Sequence, residues 1–230
     1  MEYTIVRSKR KTASIYVKAS GVEVKAPLRM SKRSIDEFVA SNEKWILKAS
    51  AEMIERAARR SRFELAVGSM VLYRGREYPI SEWKRDDTAF DGQRFLISSK
   101  MHPEQIRSSF AEIYRKLAKQ DLTAKTLEVA KRMRIDAPIV KISGAKTRWG
   151  SYNVRKQTRS RSINYSWRLI MADDAAIEYV VVHELAHTLE QNHSGRFWAI
   201  VAGELPDYKE RIAKLHMLQE RLNDESWLGE

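Results

Sequence analysis

The sequence predicts an α+β protein with a β-rich N-terminal part and a largely helical C-terminal part. Short runs of alternating apolar and polar residues in the first 100 positions are typical of half-buried strands. Longer stretches after position 101 carry apolar residues at helical spacing. The chain has 230 residues, enough for one sizeable domain or two small ones. We therefore expect a region 1–100 and a region 101–230, divided near Lys100 or joined as one continuous domain.

The N-terminal region predicts a hairpin, a helix and several short strands. Residues 15–17 and 22–26 alternate in polarity around Gly21, which indicates a β-hairpin. Ser34 and Glu37 have the spacing of a capping box and predict one helix that continues to Ile54. Further strands are predicted at 71–73, 77–80 and 95–98, the last after an Asp-Gly turn signal.

The C-terminal region predicts three helices and two strands. A long helix begins near Pro103 and carries apolar residues as far as Val129. Asp173 or Asp174 caps a second helix, and Pro206 begins a third. The two strands are predicted at 139–142 and 162–169.

The composition restricts the chemistry and the location of the protein. The chain has no cysteine, so disulfides, thiolate zinc sites and cysteine nucleophiles are excluded, and a transition metal must be held by imidazole and carboxylate groups. The N-terminus lacks the apolar segment of a secretory signal, and no stretch approaches the ~18 apolar residues that span a bilayer. We expect a cytoplasmic protein with no membrane partner.

The charge balance is strongly basic. Lys and Arg number 42 against 30 Asp and Glu, which gives a formal net charge of +12. Such an excess attracts anions, including nucleotides and nucleic acids, although it is also compatible with an ordinary soluble surface. Basic clusters lie at 7–11, 56–62 and 155–161, but few aromatic residues lie between their cations. Nucleic-acid binding is therefore predicted only as an accessory property.

One motif carries chemistry, the HExxH pattern at residues 183–187. On a helix, residues four apart share a face, so His183 and His187 can hold one metal ion. Glu184 lies beside them, where it can take a proton from a metal-bound water and return it to a leaving group. The predicted ion is Zn²⁺, one per chain, because imidazole ligands and an open position for water are typical of catalytic zinc sites.

The surroundings of the motif favour a metal site over an ordinary helix with two satisfied histidines. Val180, Val181 and Val182 precede the motif, so the helix is predicted to be buried. Histidines and a glutamate in a buried helix are costly unless a partner satisfies them. Three of the five histidines also fall within eleven residues, 183–193. A divalent ion accounts for both observations.

A third ligand is required, and His193 is the predicted one. It follows His187 by six residues, the spacing of HExxHxxGxxH sites, although Glu190 stands at the glycine position. A turn must come first, and Asn192 tolerates the left-handed conformation that ends helices. The alternative third ligand is an acid from the next helix, Glu204.

The sequence around these residues resembles the YgjP-like metallopeptidases, which are relatives of the WLM and SprT-like zinc proteases. The matching segments are 180–187, 192–194, 196–198, 146–151 (KTRWGS), 167–169 (WRL), 10–12 and 21–27. The resemblance implies that His183, His187 and His193 bind zinc and that Glu184 is the general base. It also implies a minimal zincin-like fold, in which a small sheet packs on the active-site helix. Two features depart from the family: Tyr152 where cysteine is frequent, and a long basic loop at 153–161.

The resemblance further implies a substrate-binding edge strand that includes Arg148, Trp149 and Gly150. Gly150 would let a substrate backbone approach closely, and Arg148 could bind a carboxylate or phosphate. Alternatively, Trp149 is a core residue and Arg148 forms a structural ion pair. Tyr152, Arg148 and Tyr208 are the candidates for stabilising the developing oxyanion.

Together, these observations predict a zinc-dependent hydrolase, specifically a metallopeptidase in which Glu184 activates a zinc-bound water to cleave peptide bonds. Two alternatives stay open. The water could instead attack phosphorus in a nucleoside triphosphate, as in a pyrophosphohydrolase, with Arg148 and the 155–161 loop binding the phosphates. The protein could also be a protease that acts on DNA-bound proteins. The expected partners are a peptide or protein substrate and, through the basic clusters, a nucleotide or nucleic acid.

Overall fold

The computed structural model describes residues 1–18, 20–85, 87–155 and 160–225, without the side chains of 59–62, and confirms a mixed α+β protein. These residues form six α-helices and ten strands in three small sheets. Two compact units are present, one built mainly from Met1–Phe63 and the other from Glu64–Asn223. The units thus divide after Phe63, not in the region of Lys100. The strands that lie between residues 63 and 100 belong to the second unit. One of their residues, Phe95, packs on aromatic rings of the helix that follows.

The first unit contains a three-stranded sheet in the order β1-β3-β2. Its strands are β1 Thr4–Ser8, β2 Ser14–Lys18 and β3 Gly21–Pro27. β2 and β3 form the predicted antiparallel hairpin. β1 is parallel to β3 and was not predicted, because within it only Ile5 is even partly buried and no apolar alternation is visible.

Two helices, α1 Lys32–Ser41 and α2 Glu43–Arg62, stand where the sequence predicts one. The prediction of a continuous helix is wrong because Asn42 forms a C-cap between them. The N-cap is Ser31, whose hydroxyl accepts a hydrogen bond from the backbone N–H of Ser34. The helices and the sheet enclose the core of this unit, whose fully buried members are Val24, Ala26, Ile35, Val39 and Ile46.

The second unit contains two sheets. The first has the order β4-β5-β7-β6, and its strands are β4 Met70–Tyr73, β5 Arg76–Glu82, β6 Ala89–Phe90 and β7 Phe95–Ile97. The second has the order β8-β10-β9, with β8 Ile139–Ser143, β9 Tyr152–Val154 and β10 Arg161–Ser166. β8 is parallel and β9 antiparallel to β10, so β9 is an edge strand. The strand predicted at 162–169 ends early, because Trp167–Met171 forms a buried 3₁₀ helix.

Four helices complete the second unit: α3 Pro103–Arg132, α4 Asp174–Ala186, α5 Gly195–Glu204 and α6 Tyr208–Asp224. α3 has Pro103 at its first position, as predicted. α4 is capped by Asp173, whose carboxylate accepts a hydrogen bond from the backbone N–H of Ala176 at 2.8 Å. Within the described part of the chain, none of the helices has both the length and the apolar character needed to cross a membrane.

An ion-pair network joins these four helices. Glu178 of α4 accepts from Arg132 of α3 and from Arg211 of α6, each at 2.7 Å. Arg132 also donates to Glu204 of α5 at 3.0 Å. Because Glu178 and Arg132 each contact two partners, the network links α4 directly to α3 and α6 and, through Arg132, to α5.

A tight turn between β4 and β5 packs against the beginning of α4. Arg74 and Gly75 both have positive φ, 49° and 72°, as a two-residue type I′ turn requires. The backbone N–H of Arg74 donates to the carbonyl of Ile170 at 2.8 Å. A Cβ atom on Gly75 would lie 2.7 Å from the Cβ of Asp173. The turn therefore requires glycine for two reasons, its conformation and its contact with the α4 cap.

Gly75→Ala is expected to destabilise the protein by about 2–4 kcal/mol, because left-handed strain adds to a steric clash with Asp173. Gly92→Ala is the matched control, since Gly92 has φ of 95° but open space around it. That variant should lose only about 1 kcal/mol from strain. Urea unfolding followed by circular dichroism measures both. Equal losses in the two variants would contradict the contact with Asp173.

Candidate metal centre

Helix α4 carries the HExxH motif in a buried setting, as predicted. Its valines at 180–182 are buried, as are Leu185 and Ala186 within the motif. His183 and His187 are half-buried, and Glu184 is only 5% exposed. α4 ends at Ala186, so His187 is its C-cap residue.

The turn that follows α4 returns the chain to the motif. Successive backbone bonds, from Thr188 to Leu185 and from Glu190 to Ala186, tighten the end of the helix. The expectation of a left-handed Asn192 is wrong: among the described residues other than glycine, only Arg74 and Arg134 have positive φ. A right-handed turn needs no glycine, which explains why Glu190 can occupy the position that is glycine in HExxHxxGxxH sites.

Three histidines converge beside this turn. The Nε2 atoms of His193 and His183 are 3.1 Å apart, and one ligand atom from each of these residues and His187 lies within 4.8 Å of the others. Tetrahedral zinc with Zn–N bonds of about 2.0–2.1 Å places its nitrogen ligands roughly 3.3 Å apart. The separation between His183 and His193 is close to this value, and His187 is near enough to be a candidate third ligand of the same ion.

The surroundings of His183 and His187 favour their neutral forms and orient their rings. The ring of Phe197 packs 4.6–4.9 Å from all three imidazoles. The Nδ1 atom of His183 is 3.4 Å from the hydroxyl of Tyr179, and that of His187 is 3.2 Å from the carbonyl of Glu190. Burial, together with the other two histidines, lowers the pKa of His183 to about 4, and burial also lowers the pKa of His187. Neutral imidazoles are the form that binds metals.

Glu184 brings a carboxylate into the same interior. Burial raises its pKa to about 7, while the backbone N–H of Tyr152 and the charge of Arg148 act in the opposite direction. Its Oε2 atom is buried and has no hydrogen-bond partner among the described residues. Such an atom is costly unless a water molecule or a ligand satisfies it. The donor set and this orphaned oxygen both fit a site that holds a metal ion and a reacting water.

Gly150 provides the space that Glu184 occupies. A Cβ atom at residue 150 would lie 2.6 Å from Oε1 and 2.7 Å from Cγ of Glu184. Any larger residue would therefore displace the carboxylate. From the sequence, Gly150 is predicted to let a substrate backbone approach, whereas the contact that requires glycine here is with Glu184.

These residues open onto a cavity of about 650 Å³. Its lining residues are Arg148, Gly150, Ser151, Tyr152, Val154, His183, Glu184, His187, Gln191 and His193. Glu184 is the single acid among them, so the cavity combines one carboxylate with three imidazoles and a guanidinium group.

The sequence matches the family model described as YgjP-like, metallopeptidase domain, over residues 11–217. The chain belongs to this family. No curated protein matches the sequence significantly. The family implies a metal-dependent peptidase, and within this YgjP-like domain the His183, His187 and His193 group is the cluster of described residues that could hold the ion.

Not every residue predicted for the site of this YgjP-like domain reaches the cavity. Glu204, the alternative ligand, is paired with Arg132 instead. Tyr208 stacks on Trp198 at 5.4 Å between ring centroids and does not line the cavity. Trp149 does not line it either.

The predicted edge strand begins later than expected. Arg148, Trp149 and Gly150 precede β9 and lie outside any regular strand. Antiparallel bonding with β10 nevertheless continues back as far as Trp149, whose carbonyl accepts from the N–H of Ser166 at 2.8 Å. Three further residues line the cavity and were not predicted from the sequence: Ser151, Val154 and Gln191. Val154 could have been found, because alternate residues of a strand share a face and Tyr152 was already a candidate.

Gly150→Ala is expected to destabilise the YgjP-like domain by about 1–3 kcal/mol, because the new methyl group displaces a buried carboxylate. Gly203→Ala in α5 is the control, since a Cβ atom there meets nothing within 4 Å. That substitution should be neutral or stabilise the helix by up to about 1 kcal/mol. Urea unfolding of the metal-free proteins measures both. If Gly150→Ala is as stable as the control, the close contact with Glu184 does not exist.

Proposed function

We propose that this chain is a zinc peptidase in which His183, His187 and His193 hold the ion and Glu184 is the general base. The observation that carries the proposal is the buried Oε2 atom of Glu184, which lacks a partner among the described residues, on a residue that lines the same cavity as the three histidines. Family membership supports a peptide or protein substrate. The histidine spacing supports zinc among the divalent ions.

The proposal includes a zincin-like arrangement of sheet and helix. The second sheet of the unit would lie beside α4, with β9 as the edge facing the cavity. The contact of Gly150, just before β9, with Glu184 of α4 supports this arrangement. A peptide in extended conformation would add to the free edge of β9 by backbone hydrogen bonds, and its scissile carbonyl would then reach the histidines.

In the proposed reaction, zinc supplies Lewis acidity, which polarises the scissile carbonyl and makes a water molecule easier to deprotonate. Glu184 accepts a proton from that water while the water oxygen bonds to the carbonyl carbon. Glu184 then gives the proton to the amide nitrogen as the C–N bond breaks. One water is consumed, a carboxyl and an amine group are formed, and Glu184 returns to its starting state.

The developing negative charge on the carbonyl oxygen needs a second donor. Of the three candidates from the sequence, Arg148 and Tyr152 line the cavity, whereas Tyr208 does not. We assign oxyanion stabilisation to these two residues. Hydrogen bonds from preorganised donors to such an oxygen are typically among the larger contributions to catalysis.

Glu184→Gln should retain about one equivalent of zinc and lose peptide hydrolysis by at least about 10²-fold, because glutamine has the same shape but cannot accept the proton. His187→Ala should lose both the zinc and the activity. Zinc content by mass spectrometry and cleavage of an unstructured peptide library measure the two properties. Undiminished cleavage by Glu184→Gln would exclude Glu184 as the base.

The same assay distinguishes peptide hydrolysis from the alternative reaction, hydrolysis of a nucleoside triphosphate. Arg148 lines the cavity and could bind phosphate, and Arg155 is exposed nearby in sequence, although residues 156–159 lie outside the described structure. The four nucleoside triphosphates are therefore tested in parallel, with Glu184→Gln as the blank. Hydrolysis of a triphosphate but of no peptide would replace the proposed substrate class.

A second candidate function, association with nucleic acid, is favoured by the charge of the first unit. Between residues 7 and 33 there are nine Lys and Arg and one Glu. β1 and β3 are parallel and end together, Ser8 beside Pro27, so the segments 9–11 and 28–33 follow the same edge of the sheet. The predicted clusters at 56–62 and 155–161 fall partly on residues whose side chains lie outside the described structure.

The double variant Lys9→Ala/Lys11→Ala should bind a DNA duplex more weakly than the parent. The slope of log K against log salt concentration should be shallower by about one for each lost phosphate contact. Both lysines are exposed. Arg107→Ala/Lys116→Ala, which removes two exposed cations of α3, is the control for a general charge effect. Fluorescence anisotropy at several salt concentrations measures binding. Absent or salt-independent binding by the parent would remove this candidate function.

A further inference from the structure

We propose that Tyr179 is a positioning residue that orients His183 for metal binding through Nε2, an inference that rests on the proposed function. Tyr179 lies four residues before His183 on α4, so the two side chains share a helix face. The hydroxyl of Tyr179 is 3.4 Å from the Nδ1 atom of His183. This contact lies on the side of the imidazole opposite the histidine cluster.

Contacts at both ends of the ring fix its direction. The Nε2 atom of His183 faces the Nε2 atom of His193 at 3.1 Å, while Nδ1 faces Tyr179. A neutral imidazole that donates its Nε2 lone pair to a metal carries its proton on Nδ1. In that tautomer the Nδ1–H donates to the hydroxyl oxygen of Tyr179, and the ring is held in its ligating orientation.

His187 has a corresponding contact, which supports this assignment. Its Nδ1 atom is 3.2 Å from the carbonyl of Glu190, an oxygen that can only accept. Nδ1 of His187 is thus the protonated nitrogen, and Nε2 is left as the ligand atom. Both histidines of the HExxH motif therefore have an oxygen near Nδ1. For His183 a side chain supplies that oxygen, whereas for His187 the backbone supplies it. Of these two oxygens, only the hydroxyl of Tyr179 can be removed by a substitution, because the other is a backbone carbonyl.

The position of Tyr179 argues for a role of its hydroxyl group. Tyr179 is 7% exposed, and the valines that follow it in α4 are also buried. Its ring centroid lies 5.8 Å from that of His183. Phenylalanine would retain the ring and its packing, so the hydroxyl contributes the hydrogen bond to Nδ1 and little else.

The test compares Tyr179→Phe with the parent and with Tyr208→Phe. Tyr208 is a nearby tyrosine that stacks on Trp198, and none of the hydrogen bonds of the described residues joins its hydroxyl to a histidine. Zinc affinity is measured by competition with a chromophoric chelator. Removal of an outer partner of a metal ligand typically weakens metal affinity about 10–100-fold. We expect a loss of at least about 10-fold for Tyr179→Phe and less than about 2-fold for Tyr208→Phe.

Two further measurements distinguish positioning from general damage. Urea unfolding of the metal-free protein should change little in Tyr179→Phe, because ring packing is retained. Nitrogen-15 NMR of the zinc-loaded parent should show the proton of His183 on Nδ1. Zinc affinity within 2-fold of the parent, or a His183 proton on Nε2, overturns the role of Tyr179. A parent protein that binds no zinc overturns the proposed function itself, so the two failures are distinguishable.

Discussion

Glu184 places a carboxylate in an apolar interior, and the space for it exists only because residue 150 has no side chain. The Cβ of any other residue would come within 2.6–2.8 Å of three atoms of that carboxylate. One carboxylate oxygen has no partner among the described residues, which leaves it free to take part in chemistry. The position of the edge strand beside the site depends on this close approach of the segment before β9 to helix α4.

Other parts of the second unit hold α4 in the position in which Glu184 contacts Gly150. Glu178 connects α4 to α3 and α6, and Arg132 extends the same network to α5. At the start of the helix, the Gly75 turn packs against the capping residue Asp173. A helix restrained in this way at its start and near its middle helps to keep its side chains within the small tolerances that a preorganised site requires.

The predictable part of the protein is the part determined by local sequence. The HExxH spacing and the run of valines before it were sufficient to place two histidines on one buried helix face. Strand β1 was not predicted because Ile5 is its single partly buried residue. The first part of the 3₁₀ helix at Trp167–Met171 was predicted as a strand because the segment has the apolar composition of one. The requirement for Gly150 could not be predicted, because it depends on the tertiary distance between residues 150 and 184.

The three histidines lie within a stretch of eleven residues, whereas Gly150 is separated from Glu184 by β9, β10, the 3₁₀ helix and most of α4. Closing so short a chelate loop costs little conformational entropy compared with assembling distant segments. Convergence of the three proposed ligands is thus a property of local sequence, while the environment of the proposed base is a property of the complete tertiary fold. In a partly folded chain, the proposed ligands can therefore come together before the proposed active site is complete.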